Sequence, residues 1–143
     1  EGLKITKAAK DALVEVCEGD VRRVENILQS CAAMGKDIDE ELVFSLASVA
    51  KPKEVKKALE LALKNKFVEA RNELLGIMLR YGLSGLDVIK QIQKEILDLE
   101  LGGRQKMELV AACGEVEFRM TEGSDEFIQL EALLAKVALE GSK

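Results

Sequence analysis

Apolar residues return every three or four positions along nearly the whole chain, and no stretch long enough to test alternates apolar and polar with a period of two. Such spacing lines side chains along one stripe of an α-helix, whereas a half-buried strand needs strict alternation. Ala, Leu, Glu and Lys dominate and β-branched residues are scattered, so local preference agrees with the spacing. The chain is therefore read as all-α.

Cap signals cut this pattern into eight helices. Thr6 is placed to cap a helix over Lys7–Cys17, with Ala9, Leu13 and Val16 on its stripe and Gly19 ending it. Asp20 caps a second helix carrying Val24, Ile27, Leu28, Cys31 and Ala32 before Gly35. Asp39 opens a third, with Leu42, Val43, Leu46 and Val49, which is expected to stop around Ala50 because Pro52 restricts the residue ahead of it. The only proline thus divides the chain into a three-helix piece, residues 1–50, and a five-helix piece, residues 51–143.

In the second piece, Val55, Leu59, Ala62 and Leu63 form one stripe, and Phe67, Ala70, Leu74, Ile77, Met78 and Tyr81 form another that ends at Gly82. Ser84 and Asp87 resemble a capping box ahead of Ile89, Ile92, Ile96 and Leu99, with Gly102 and Gly103 breaking that helix. Met107, Val110, Ala111, Gly114 and Phe118 mark a seventh helix, and Ser124, Asp125 and Glu126 start an eighth through Phe127, Leu130, Leu134 and Val137. A piece of about 50 residues is marginal on its own, since even about 60 residues bury a small share of their surface. Five amphipathic helices joined by short loops suit a compact bundle.

Histidine is absent from the 143 residues, which removes Ser-His-Asp hydrolysis, Cys-His catalysis and HExxH zinc chemistry. Cys17, Cys31 and Cys113 are widely spaced and odd in number, giving neither a disulfide framework nor a metal knuckle and pointing to a reducing cytoplasm. No apolar run approaches the roughly 20 residues that span a bilayer, so no membrane partner is expected. A net charge of -5 argues against a free-standing nucleic-acid binder. Nothing fits a P-loop or a dinucleotide glycine fingerprint.

Three charge clusters carry alternative meanings. Arg22 and Arg23 occupy the first turn of the second helix, where the helix dipole already favours anions. Either they receive a phosphate, or Glu18, Asp20 and Glu25 neutralise them as surface ion pairs. Lys51, Lys53, Lys56, Lys57, Lys64 and Lys66 outnumber Glu54 and Glu60, and are either a phosphate-facing stripe or a solvated helix face; no aromatic interleaves before Phe67. Asp37 to Glu41 fit a helix start, while Glu115 and Glu117 are two apart and diverge, so neither group is read as catalytic or metal-binding. The apolar stripe of the last helix, with Phe127, Ile128, Leu130, Leu133 and Leu134, is wider than a bundle seam needs, as in a central helix or a subunit interface.

Glu18 to Gln29, Glu-Gly-Asp-Val-Arg-Arg-Val-Glu-Asn-Ile-Leu-Gln, resembles the sensor-2 segment of AAA+ clamp loaders. Phe118 to Ala135 is similar to the C-terminal end of archaeal replication factor C small subunits, and the likeness runs end to end through Tyr81 to Gly85. The resemblance implies that residues 1–50 are part of an AAA+ lid domain and 51–143 a collar domain, both belonging to a larger subunit whose ATPase domain lies elsewhere. It implies no catalytic residue and no cofactor in this piece, with ATP and Mg bound by the intact subunit. Arg22 matches the family's phosphate-sensing arginine, with Arg23 the second choice. Val24 and Glu25 depart from the family's usual Ala and apolar residue.

Implied partners are large and small clamp-loader subunits, a homo-oligomer through the collar by way of Phe127, Ile128, Leu130, Leu133 and Leu134, and, in the complete complex, a sliding clamp and primer-template DNA. Two other accounts stand beside this one. A free-standing helical adaptor would dock partner helices in a groove. Direct nucleic-acid binding through Lys51 to Lys66 would show strongly salt-dependent affinity.

Overall fold

The computed structural model describes residues 2–35 and 37–143. Among them are eight helices: α1 Lys7–Cys17, α2 Val21–Ala33, α3 Glu40–Leu46, α4 Pro52–Leu63, α5 Phe67–Tyr81, α6 Gly85–Ile96, α7 Gly103–Thr121 and α8 Glu126–Gly141. The chain is all-α. It divides into two compact units, Glu1–Val49 and Ala50–Lys143.

In the first unit each helix opens on a side-chain cap. Thr6 Oγ1 accepts from Ala9 N at 3.1 Å, Asp20 Oδ1 from Arg23 N at 3.1 Å and Asp39 Oδ1 from Leu42 N at 2.8 Å, satisfying donors that the helix leaves free. The turn out of α1 becomes left-handed at Glu18, one residue ahead of the expected Gly19, although Gly19 also has positive φ. Helix α3 ends at Leu46, short of the expected Ala50. Ser48 turns left-handed and Val49 N donates to Phe44 O at 3.0 Å, so the chain reverses in a Schellman turn before the proline restriction applies. Ala9, Leu13, Ile27, Cys31, Val43 and Phe44 form the small core. A parallel bridge, Thr6 N to Ile38 O and Ile38 N to Lys4 O, ties the leading segment to the α2–α3 connection.

In the second unit Pro52 takes the first position of α4, where its missing N–H costs nothing. The Ser84–Asp87 capping box forms in both directions. Helix α6 stops at Ile96 and Leu99 is buried from the following turn, whereas Gly102 and Gly103 begin α7 instead of ending α6. Asp125, one residue past Ser124, caps α8 through Ile128 N at 3.0 Å. Helix α8 packs against all four of its neighbours, α4 to α7.

Two glycines mark close approaches between helices. A Cβ on Gly141 would lie 2.2 Å from Leu63 O, so α8 reaches the end of α4 only because that position is bare. At Gly85 a Cβ would meet Glu126 Cβ at 2.7 Å, and Glu126 Oε2 accepts from Gly85 N at 2.7 Å, adding a carboxylate to the positive end of α6. Gln91 closes the front of the unit by accepting from Ala50 N at 2.9 Å and donating to Ala50 O at 2.5 Å.

Candidate functional site

The N-terminus of α2 separates its two arginines. Arg23 Nη2 donates to Ala47 O at 3.3 Å, so its guanidinium serves the end of α3, whose last carbonyls lack helical partners. Arg22 is exposed and makes no hydrogen bond or ion pair among the described residues. Neither arginine is ion-paired to Asp20 or Glu25, and the Asp20 carboxylate is committed to the cap. Arg22 is therefore a cation at the positive end of a helix with no ion pair among the described residues, an arrangement suited to an anionic visitor. Beside it lies an open cleft of about 190 Å³ lined by Arg23, Asn26, Ile27, Ser30, Leu46 and Ala47.

Burial pushes the Cys17 and Cys31 thiols up, with Arg23 partly offsetting the effect at Cys17, and it drives Cys113 up to about 11. All three are buried free thiols that stay protonated at neutral pH. No group of His, Cys, Asp or Glu among the described residues is arranged to hold a metal ion. Asp39 is a cap, Glu40 and Glu41 lie in the first turn of α3, and Glu115 pairs with Arg119 at 3.3 Å.

In the lysine-rich stretch, Lys57 pairs with Glu73 at 3.1 Å and Lys66 with Glu69 at 3.2 Å, which leaves less free charge than the sequence count suggests. No described helix is long and apolar enough to cross a membrane.

The five residues taken from α8 as an interface do not act together. Leu130, Leu133 and Leu134 are at most 2% exposed and belong to the core, because α8 runs through the middle of its unit. Phe127 and Ile128 stay outside, at 47% and 66% exposed. Ile128 is continued by Ala132, Ala135 and Leu139 along an outward stripe that the sequence reading missed.

Helix α7 corrects a second assignment. Its buried residues are Leu109, Ala112, Cys113, Val116 and Met120, two positions out of step with the expected face. Met107 and Phe118 are 67% and 62% exposed, with Ala111 and Gly114 exposed between them. Helix α5 likewise shows Val68 and Leu79 to solvent, with half-buried Leu75 between. The available signal was apolar content on more than one side of α5, α7 and α8.

Residues 50–136 match the protein family described as the replication factor C C-terminal domain. Over nearly its whole length the chain is also similar to proteins named replication factor C small subunit. It is 48% identical to that of Methanocaldococcus jannaschii over 99% of the chain, 47% to that of Methanococcus vannielii over 97%, and 46% to that of Methanopyrus kandleri over 100%. The chain spans 8%, 44% and 23% of those relatives, less than half of each.

Proposed function

The chain belongs to the replication factor C C-terminal domain family, and from that premise we propose that it is the lid and collar part of a clamp-loader small subunit acting in DNA replication in the cytoplasm. In this reading the first unit carries the nucleotide response and the second joins the subunit to its neighbours, large and small. Such an assembly would place a sliding clamp on primer-template DNA, while this chain itself hydrolyses nothing.

The observation that carries the reading is the unpaired Arg22 at the start of α2, within a chain that resembles small subunits over almost all its residues. ATP with Mg, held by an ATPase domain in the intact subunit, supplies the terminal phosphates. Arg22 would meet them with charge-assisted hydrogen bonds, which are directional, so phosphate occupancy becomes a fixed angle between lid and ATPase domain. Arg23 acts as the positioning partner: its bond to Ala47 O holds the first turn of α2 against α3 and so aims the neighbouring side chain.

The test uses a full-length small subunit with this chain as its C-terminal part. Arg22→Ala is expected to lower ATP-dependent clamp loading while subunit assembly, followed by light scattering, is unchanged. Loss of the assembly with retained ATP response would show that Arg22 serves the scaffold. Purified alone, the 143-residue chain is expected to give no ATP turnover above background.

A further inference from the structure

Helix α8 changes its means of attachment along its length. As far as Val137 it is fixed by large apolar side chains, among them Leu130, Leu133, Leu134 and Val137, each at most 2% exposed. From Ala138 onward the one buried side chain larger than a methyl group belongs to Glu140, and Leu139 points to solvent. Gly141 meets the α4 backbone at Leu63 with no side chain to anchor it. The last turn therefore depends on polar ties where the rest of the helix depends on packing.

Those ties converge on Glu140. Its side chain is 4% exposed, with Oε1 accepting from Lys143 Nζ at 2.5 Å and Oε2 making no hydrogen bond among the described residues. Its carbonyl accepts from Gln105 Nε2 at 2.8 Å, and Gln105 Oε1 accepts in turn from Gly102 N at 3.0 Å, so one side-chain amide joins the end of α8 to the start of α7. Lys143 also stands 3.6 Å from Glu108 on α7, whose other oxygen pairs with Arg104 at 3.1 Å. Glu108 thus has a second cation, whereas Lys143 is the one cation paired with Glu140 among the described residues.

Electrostatics makes this pair decisive for the turn. A buried carboxylate needs a counter-charge, and Glu140 lies at the C-terminal end of a helix, where the dipole is already negative. Lys143 answers both demands, because a cation just beyond the last turn is favoured by the dipole as well. Its hydrogen bond to Glu140 and the charges of Glu140 and Glu108 push the Lys143 ammonium up from its ordinary pKa and keep it a cation. The two partners differ in access: the Lys143 side chain is 57% exposed, so it is the member that solvent reaches.

We infer that residues 138–143 form a charge-gated clasp, in which the exposed Lys143 ammonium locks the buried Glu140 carboxylate and loss of that one charge releases the last turn of α8 from α4 and α7. Opening carries Glu140 into water, separates Gly141 from Leu63 and frees the amide of Gln105, so the end of α4 and the start of α7 are uncovered together. Leu130, Leu133 and Leu134 stay in the core, because their burial does not depend on the pair. Such a turn is a low-stability element within a stable unit. The clasp lies wholly within the second unit and does not rest on the role proposed above.

Amide hydrogen exchange on the 143-residue chain reads the clasp directly. Lys143→Gln is expected to speed exchange at the Glu140 and Gly141 amides roughly 10- to 100-fold, a share of the penalty for stranding a buried charge reduced because the lysine side of the pair is exposed. The Leu130 and Leu133 amides should be unchanged. Lys143→Arg, which keeps the charge, should stay within about 3-fold of the wild type. In a Glu140→Gln background, Lys143→Gln should add less than about 3-fold, because no buried charge is left to strand.

Three results overturn the inference. Unchanged exchange at Glu140 and Gly141 in Lys143→Gln would show that the ammonium holds nothing. Equal acceleration at Leu133 and Glu140 would mean that the whole unit is destabilised and that no local clasp exists. If Lys143→Gln speeds exchange as much in the Glu140→Gln background as in the wild type, the Glu140 charge is not what the lysine locks.

Discussion

Replacing Gly141 by Ala adds one methyl group where two helix ends touch. The new Cβ would sit 2.2 Å from Leu63 O, 2.7 Å from Leu63 Cα and 2.8 Å from Leu63 C, whereas ordinary contacts begin near 3.4 Å. All three atoms are backbone, so no side chain can swing aside and the end of α8 must lift from α4 by about 1 Å. Overpacking of this kind costs about 1–3 kcal/mol, and the better helix propensity of Ala returns at most about 1 kcal/mol. Lifting also strains Glu140, which is 4% exposed and whose carbonyl accepts from Gln105 Nε2 at 2.8 Å. The expected net loss is about 1–2 kcal/mol, a fall on the order of 5–15 °C in the melting of the second unit. Gly76→Ala, whose Cβ would meet nothing within 4 Å, is the matched control and should gain about 0.5–1 kcal/mol. Thermal melts followed by circular dichroism compare the two. A Gly141→Ala protein that melts with Gly76→Ala, at or above the wild type, would refute the close approach of α8 to α4.

Gln91→Leu leaves the amide and carbonyl of fully buried Ala50 without partners and is expected to cost about 2 kcal/mol or more, with faster hydrogen exchange at the Ala50 amide; unchanged protection would refute the role. In urea unfolding of the first unit, Arg22→Ala should change stability by less than about 0.5 kcal/mol and Arg23→Ala should lose about 0.5–1 kcal/mol; the reverse order would mean that Arg22 holds the fold. Burial raises Cys113 from 9.0 to about 11 and, with Glu54, raises Tyr81 from 10.0 to about 12, so at alkaline pH the unfolded chain gives up protons that the native chain keeps. The contribution of these two groups should therefore be fully present below pH 9, be lost as pH rises from 9 towards 12, and be lost less between 9 and 11 in Cys113→Ala, as read from urea midpoints. Leu109→Ala, at a fully buried site, should cost about 2–5 kcal/mol while Met107→Ala changes stability by less than about 0.5 kcal/mol, and equal losses would put the wrong face of α7 in the core.

Helix starts were legible because their chemistry is local. Thr6, Asp20, Asp39 and Ser84 each reach a backbone N–H three residues ahead, and Pro52 fills a first position, so each signal and its effect lie within one turn. Helix ends were harder to place. Helix α3 stops at Leu46 because Ser48 accepts a left-handed conformation, which neither a glycine nor the later proline announces. At the α2 terminus the sequence placed Arg22 and Arg23 in one turn but could not rank them on contacts. Arg23 is distinguished by the Ala47 carbonyl, 24 residues further on, and a distant backbone oxygen leaves no mark on local spacing.

The faces of α7 and α8 expose a limit of periodicity itself. On α7, Met107, Val110, Ala111, Gly114 and Phe118 satisfy the spacing of three and four, and so do Leu109, Ala112, Cys113, Val116 and Met120, shifted by two residues to nearly the opposite side. A count of apolar matches gives both stripes the same standing, and only packing against α6 and α8 selects the inner one. On α8 the broad stripe left two meanings open, a central helix or an interface. The central position consumes Leu130, Leu133 and Leu134, because a helix touched by four others needs apolar residues around much of its girth. Of what remains after that demand is met, Ile128 and Leu139 are as exposed as Met107 and Phe118 on α7. The width of an apolar stripe thus reports how many neighbours a helix has within its own unit, and surface left for other chains becomes visible only once those neighbours are subtracted.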